Sequence, residues 1–582
     1  MTGFRNFAEQ IQARAAEAPG REALILLPEY EGRSQAEAVS YRALDAGARR
    51  LAGWLQDRGA AGERVLLAHS DRRLFAISLL ACLYAGAIAV PTAPPRGRGH
   101  HAERIAGIVK DAAPCLALTD AAEAPDLSRL LAAQGHGSIP CLAADVVPPS
   151  APFTAPRLGP DSVALLQYTS GSTREPRGVV VTHGSLTANQ RAIGAALRTG
   201  PADVFGGWLP FHHDLGLIGQ LLHPLWLGAT SVLLTPEAFV KRPLRWLEAI
   251  SRYGVTVSAA PDFAYDLCVR RTDEQPLPAG LDLSAWRAAV DGGEPIRSAT
   301  WQAFSERFAP AGFRAEALTA GYGLAEATLL VALDAGGAAG ARTHREVDAA
   351  ALERNRLADA RTGRPSRSLV PVGLPVELDL RIVDPQSQAT LPDGRIGEIW
   401  VRGQGVAAGY WRRRGESAQT FGQTTAEGEG GYLRTGDLGV VQDGLLHVTG
   451  RLKDVIVVAG RNLYPQDLEQ TVQRVSAMFG SATAFGVPGE REQVVVIQEL
   501  RAQSRYRVDF AGLTAAVKDC LAREFELQTG AVLLVRPGTV RRTTSGKVER
   551  AAMRKLFLDG RLKPLHQEVK SEVEQLLVRS RP

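Results

Sequence analysis

The sequence predicts an α/β protein: a large N-terminal domain of layered α/β subdomains with a small β-rich subdomain, then a small mobile α+β C-terminal domain. Three observations lead there. Short apolar runs such as Glu63-Arg-Val-Leu-Leu-Ala68, Val163-Ala-Leu-Leu-Gln167 and Ser231-Val-Leu-Leu234 recur between longer stretches of helical period. Buried strands alternating with helices in this way build mostly parallel sheets. Past Pro371 the texture shifts to shorter strands between glycine turns, as in Leu378-Asp-Leu-Arg-Ile-Val383 and Leu445-Leu-His-Val-Thr449. From Arg451 strands mix with amphipathic helices, enough for a separate domain. The chain has 582 residues and one core rarely grows past ~300, so more than one domain is needed. The division falls between residues 1–450 and 451–582.

The elements follow in order. The N-terminal residues alternate polar and apolar types and lack the apolar run of a signal peptide. Residues 74–90 carry no charge, which raises the question of a membrane span. Rich in Ala and divided by Gly86, they read instead as a buried helix, the strand Ala87-Ile-Ala-Val90 and the turn Pro91-Thr-Ala-Pro-Pro95. No integral membrane association is expected. Residues 334–368, rich in Gly, Ala and Arg, read as an insertion or mobile loop, and the chain from Leu562 as an exposed, charged helical tail. The 67 basic and 62 acidic side chains give +5 without clustered Lys/Arg blocks, so nucleic acid is not an expected partner. The five cysteines are scattered, without zinc or redox spacing, and fit a reducing cytoplasm.

The strongest local signal is Tyr168-Thr-Ser-Gly-Ser-Thr-Arg-Glu-Pro-Arg-Gly178, between two strand-like runs. Glycine lets the backbone approach, hydroxyls and amides donate to oxyanions, and Arg177 adds charge, so the loop reads as a phosphate cradle. It is not a Walker A loop, because no Gly-Lys-Ser/Thr closes it. Gly403-Gln-Gly405-Val-Ala-Ala408 fits the dinucleotide fingerprint, but the following Gly409-Tyr-Trp-Arg-Arg-Arg414 is no apolar helix, which speaks against an oxidoreductase. His212-His213-Asp214 fails as a metal site, since neighbouring side chains of a strand point apart. It also fails as part of a hydrolase triad, since no Gly-x-Ser-x-Gly elbow exists. A core histidine and a site-lining His213 remain.

At this point the sequence resembles the adenylate-forming enzymes, which include acyl-CoA synthetases and peptide-synthetase adenylation domains. Beside the phosphate loop (Thr169, Ser170, Gly171, Ser172, Thr173), further motifs stand in the family's order along nearly the whole chain. Gly321, Tyr322 and Gly323 followed by Glu326 look like the adenine-stacking segment and the magnesium-associated glutamate, with Thr173 the second magnesium contact. Gly292, Gly293, Glu294 and Pro295 resemble the other wall of the adenine site. Tyr432-Leu-Arg-Thr-Gly-Asp437 is similar to the motif whose aspartate holds the ribose. Arg451 and Lys453 match a nucleotide contact and the hinge. Thr544-Ser-Gly-Lys547 matches the motif whose lysine enters the site during adenylation. Each fragment is weak alone, and together they are specific. Three positions depart from the commoner pattern, Arg174 for glycine, Arg177 for lysine and Gly293 for alanine, and none removes a catalytic role.

Within that family the chain resembles fatty acyl-AMP ligases. The motifs are Trp208-Leu-Pro-Phe-His-His-Asp-Leu-Gly-Leu-Ile-Gly219, Pro261-Asp-Phe-Ala-Tyr-Asp-Leu-Cys268, Leu283-Ser-Ala-Trp-Arg287 and Gly460-Arg-Asn-Leu-Tyr-Pro-Gln-Asp467. The resemblance implies ATP and Mg2+, a medium- or long-chain fatty acid activated as acyl-adenylate, and transfer to the phosphopantetheine of a holo acyl carrier protein by a cytoplasmic monomer. It assigns Lys547, His213 and Glu326 to catalysis. It also implies that an extra segment near residues 343–368 hinders the rearrangement that CoA chemistry needs. The alternatives are a fatty acyl-CoA synthetase with CoA as acceptor and a catalytically inert scaffold.

Overall fold

Two sheets of unequal size carry the N-terminal part. The computed structural model describes residues 6–29, 35–95, 99–147, 151–169, 176–334, 344–489, 492–501, 508–543 and 547–579. The larger sheet has nine strands, in the order Leu374–Pro375, Leu330–Leu333, Leu318–Gly323, Ala288–Gly292, Val257–Ala260, Val204–Gly207, Thr230–Leu233, Glu22–Leu26, Glu37–Ser40. Its inner strands, from Leu318–Gly323 to Glu22–Leu26, are parallel, and antiparallel strands close both edges. The second sheet has six strands and is parallel until the final hairpin, Val163–Thr169 with Arg177–Thr182.

Helix Arg72–Ala85 contributes to the core shared by the two sheets, with Leu79, Leu80 and Leu83 fully buried. It ends where Gly86 takes φ +72, the left-handed cap that lets the chain turn at once into strand Ile88–Pro91. The uncharged run is therefore a core helix and a strand, and no helix among the described residues is long and apolar enough to cross a membrane. Arg72, at the head of this helix, is half-buried. It donates to the carbonyl of Leu209 at 2.6 Å and to that of Leu234, and its guanidinium lies 4.2 Å from the centre of the Phe211 ring. It thereby ties the smaller sheet to the turn before His213.

Beyond these sheets stand the four antiparallel strands Asp379–Val383, Gly397–Arg402, Leu433–Gln442 and Leu445–Arg451. No helix follows Gly403 directly, in keeping with rejection of the dinucleotide reading. The chain then passes through the turn Leu452–Asp454 and the hairpin Ile456–Val458/Arg461–Leu463 into a four-stranded sheet. Helices Pro465–Arg474 and Phe510–Phe525 cover one face of that sheet through Leu468, Val472, Val517 and Leu521.

Two expectations need correction. The chain past Leu562 is not a helical tail throughout: His566–Val569 is an edge strand on Ala531–Val535, and helix Ser571–Arg579 follows with Val573 buried. Polar, charged side chains suit an edge strand, so composition hid it. Residues 335–343 lie outside the described residues, but the rest of the presumed loop is ordered. Strands Arg345–Asp348 and Ser366–Leu369 pair around the short helix Ala349–Leu352. This hairpin meets three regions. Ser368 bonds Ser298 at 2.8 Å, Arg345 pairs with Asp443 at 2.8 Å, and Glu353 takes both Nε and Nη2 of Arg461 at 2.7 and 2.8 Å. The guanidinium of Arg367 lies 4.3 Å from the centre of the Phe525 ring.

Candidate active site

In an open parallel sheet the carboxyl ends of the strands form the natural ligand crevice. Gly292 and Gly321 are paired there on adjacent strands. A Cβ on Gly292 would lie 2.6 Å from the Gly321 oxygen, and one on Gly323 would lie 1.9 Å from the Leu329 oxygen, so both positions require glycine. Tyr322, between them, donates its hydroxyl to Asp437 Oδ2 at 2.9 Å, and Arg451 Nε sits 3.2 Å from Asp437 Oδ1. Three predicted nucleotide residues from distant parts of the chain thus meet in one cluster. Asp437 is the largest cause of the raised Arg451 pKa.

Glu326 occupies the turn Ala325–Ala327 and accepts from the Tyr410 hydroxyl at 2.9 Å. Burial raises its pKa, and the Tyr410 bond opposes the shift. Two residues on, Thr328 is buried at φ +67, ψ −60, with Leu329 N–H bonded to the Ala327 carbonyl at 2.8 Å. This tight turn is strained for a β-branched residue, and the bond from its hydroxyl to the Gly405 carbonyl at 2.7 Å helps hold it.

Lys547 reaches the same crevice from the C-terminal domain and shares one cavity with Asp214, Gly293 and Tyr322. Its side chain touches the cleft's solvent although protein surrounds it. Removal from bulk water lowers its pKa, and Asp214 is the strongest opposing influence. His213 lies beside His212, ring centres 4.8 Å apart. Both occupy a turn, not the strand assumed from sequence, so the opposite-faces argument against a metal site does not apply. Among the described residues no group of three His, Cys, Asp or Glu side chains could hold a metal. Burial, then His212, Arg104 and Lys547, drive the His213 pKa well below the usual histidine value. A neutral imidazole results, able to donate to a carboxylate without competing as a cation.

Other predicted residues are placed differently. Thr169 ends its strand, whereas Ser170, Gly171, Ser172, Thr173 and the segment 544–546 lie outside the described residues. Arg177 is paired with Glu416 at 2.8 Å, so its charge is already shared. Glu294 turns its carboxylate onto the Phe263 amide at 2.6 Å, heading helix Asp262–Glu274, while Pro295 follows it in a loop. Burial raises the Glu294 pKa to about 7. Lys453 sits exposed in the turn Leu452–Asp454, between the antiparallel strand Leu445–Arg451 and the hairpin Ile456–Val458/Arg461–Leu463. Sequence reasoning missed Asp214 as the carboxylate facing Lys547 and Tyr410 as the donor to Glu326; no local pattern announces either.

The model for "AMP-binding enzyme" matches residues 11–411. The chain belongs to the AMP-binding enzyme family. Residues 453–567 match the model for "Disco-interacting protein 2-like, AMP domain". The chain is 37% identical to the medium-chain-fatty-acid–acyl-carrier-protein ligase JamA of Moorena producens, over 97% of each chain. It is 36% identical to the long-chain-fatty-acid–AMP ligase FadD26 of Mycobacterium marinum, over 94% of this chain and 96% of that one. The fold matches a fatty acyl-adenylate ligase from L. pneumophila, solved with acyl adenylate and pyrophosphate, with TM-score 0.75 and 31% identity over 97% and 98% of the two chains.

In this AMP-binding enzyme the cleft continues behind Gly323 between helix His183–Leu197, the large sheet and the π-helix Leu215–Leu222. The cavity measures about 90 Å3, and its mouth is open to solvent. Its inner lining is apolar, with Ile193, Leu197, Leu329, Leu330 and Leu333. Glu326 also fits the magnesium that accompanies a nucleotide: Tyr410 holds Oε1, and the carboxylate's second oxygen could take a cation shared with phosphate oxygens.

Proposed function

We propose that this enzyme activates a medium- or long-chain fatty acid as acyl-adenylate and passes it to the phosphopantetheine thiol of an acyl carrier protein. One observation carries the reading: the Tyr322–Asp437–Arg451 cluster and Lys547 surround the mouth of a cavity that runs on into an apolar tunnel. A charged head belongs outside such a tunnel and a hydrocarbon chain inside it.

The chemistry needs few parts. A carboxylate is already the nucleophile at neutral pH, so no general base is required. The difficulty is bringing two anions together while pyrophosphate leaves. Lys547 supplies positive charge where it builds up, and neutral His213 donates to the incoming carboxylate. Magnesium, held at Glu326 and Thr173, would neutralise phosphate oxygens. Asp437 and Arg451 fix the ribose side, and Tyr322 with the glycines frames the base. Thr169, Ser170, Gly171 and Ser172 cradle the phosphates. In the second half-reaction the lid turns about Lys453, withdraws Lys547 and admits the carrier thiol.

The hairpin Arg345–Leu369 supports the carrier branch over CoA, because its bonds to Arg461 would oppose wide rotation of the lid. We place the working enzyme in the cytoplasm, as a monomer. The test gives purified protein ATP, Mg2+ and dodecanoate with either CoA or holo acyl carrier protein, and identifies products by mass spectrometry. Acyl-adenylate and carrier thioester with little acyl-CoA is the expected result. Abundant acyl-CoA would move the enzyme to the CoA synthetases, and absence of adenylate with any acid would favour a scaffold.

A further inference from the structure

The acyl tunnel has a floor, and the residue that makes it is His223. Resting on the functional reading above, we infer that His223 limits this enzyme to acids of about eight to twelve carbons and is its chain-length determinant.

The depth can be measured in two ways. Asp214, beside Lys547 at the mouth, and His223 lie at opposite ends of one continuous helical stretch, with Leu215, Gly219 and Gln220 lining the cavity between them. At ~1.5 Å rise per residue the separation is at most about 13 Å, less where π-helical turns are wider. The facing sheet agrees. Val257 pairs with Phe205 and Ala288 at the deep level, whereas Gly292 pairs with Gly321 at the nucleotide level. Ala288 to Gly292 at ~3.3 Å per residue is again about 13 Å. An extended hydrocarbon with ~1.5 Å bonds and ~111° angles advances about 1.25 Å per carbon, so the bore holds roughly ten.

The floor is also locked. His223 Nδ1 lies 2.6 Å from Gln190 Oε1, and Nε2 lies 2.9 Å from Thr199 Oγ1. An amide oxygen only accepts, so Nδ1 carries the proton and the Thr199 hydroxyl donates to Nε2. Burial lowers the His223 pKa to about 3, which keeps the ring neutral. Phe205 meets the ring edge-on at 5.5 Å and Trp226 stacks on it at 6.1 Å. The imidazole is therefore held on both nitrogens and walled by aromatic rings, and it cannot swing aside for a longer chain without orphaning buried polar atoms.

Gly219 sets the bore midway. A Cβ there would lie 3.4 Å from Leu215 Cδ1 and 3.6 Å from Leu329 Cδ2, ordinary contact distances, so a larger side chain fits only by filling the tunnel.

The test is ATP–pyrophosphate exchange by the full-length enzyme with saturated acids from butanoate to palmitate. The wild type should favour octanoate, decanoate and dodecanoate over palmitate by roughly tenfold or more. His223→Ala should move the preference toward tetradecanoate and palmitate, and Gly219→Val should move it to hexanoate or below. If His223→Ala fails to fold by circular dichroism, Gly219→Val decides alone. A wild type equally fast on palmitate and decanoate would overturn the inference while leaving the function intact. So would a folded Gly219→Val enzyme that still prefers decanoate. No exchange with any acid would overturn the functional reading and this inference with it.

Discussion

The two ends of the cleft are built on opposite plans. At the end proposed for the nucleotide, polar groups hold one another: Tyr322 on Asp437, Asp437 on Arg451, Tyr410 on Glu326. At the end proposed for the acyl chain, aliphatic side chains from separate elements line the bore past Asp214 and Lys547, and the neutral His223 ring is tied from behind. Charge withdrawn from water must be paired in fixed geometry, which constrains residue type strictly. Hydrocarbon needs only volume, so the tunnel tolerates many compositions and its selectivity falls to few positions.

That contrast can be broken or sharpened by substitution. The largest effect should come from Lys547→Ala, which should slow adenylate formation by about 10²–10³-fold while sparing thioester formation from supplied acyl-adenylate. Equal loss of both half-reactions would remove the residue's special role. Asp437→Asn weakens two charge-assisted contacts and should raise the KM for ATP roughly tenfold or more, with the acyl-length profile unchanged. Tyr410→Phe frees Glu326 and should shift the Mg2+ dependence of the exchange rate about fivefold, in keeping with one lost hydrogen bond of ~1 kcal/mol. Deleting residues 345–368 should raise acyl-CoA yield with little change in adenylate; unchanged product would count against the proposed restraint.

The smallest effect is on stability. The native Glu294 carboxyl has its pKa raised to about 7 from an unfolded value of 4.5, so the folded state keeps a proton that the unfolded state releases. Stability therefore falls as pH rises from about 4.5 to about 7. Glu294→Gln should flatten that part of a melting-temperature profile, and a profile unchanged by the substitution would show another group responsible.

The nucleotide end was the more legible in sequence for the same physical reason. The work proposed for Tyr322, Asp437, Arg451 and Lys547 admits few substitutes, and each sits in a recognisable motif. Tyr410 is as close to the chemistry, but its partner is 84 residues away and nothing local marks the pairing. No motif marks His223, because its surroundings come from residues far apart in the chain, Gln190, Thr199 and Phe205. The sheets were readable from apolar runs, as at Arg64–Ala68 and Gln493–Leu500. The edge strand His566–Val569 was not, since an edge needs no apolar run.

The hairpin Arg345–Leu369 has one more consequence. It and the proposed lid are parts of the same chain, so Glu353 meets Arg461 at an effective concentration far above that of any separate partner. Contacts worth on the order of 1 kcal/mol, negligible between free molecules, are then enough to lengthen the lid's dwell time several-fold. Partly exposed ion pairs weaken with salt. The tempo of the catalytic cycle should accordingly quicken or slow with ionic strength wherever lid release is the slow step, without any change in the affinity for ATP or acid.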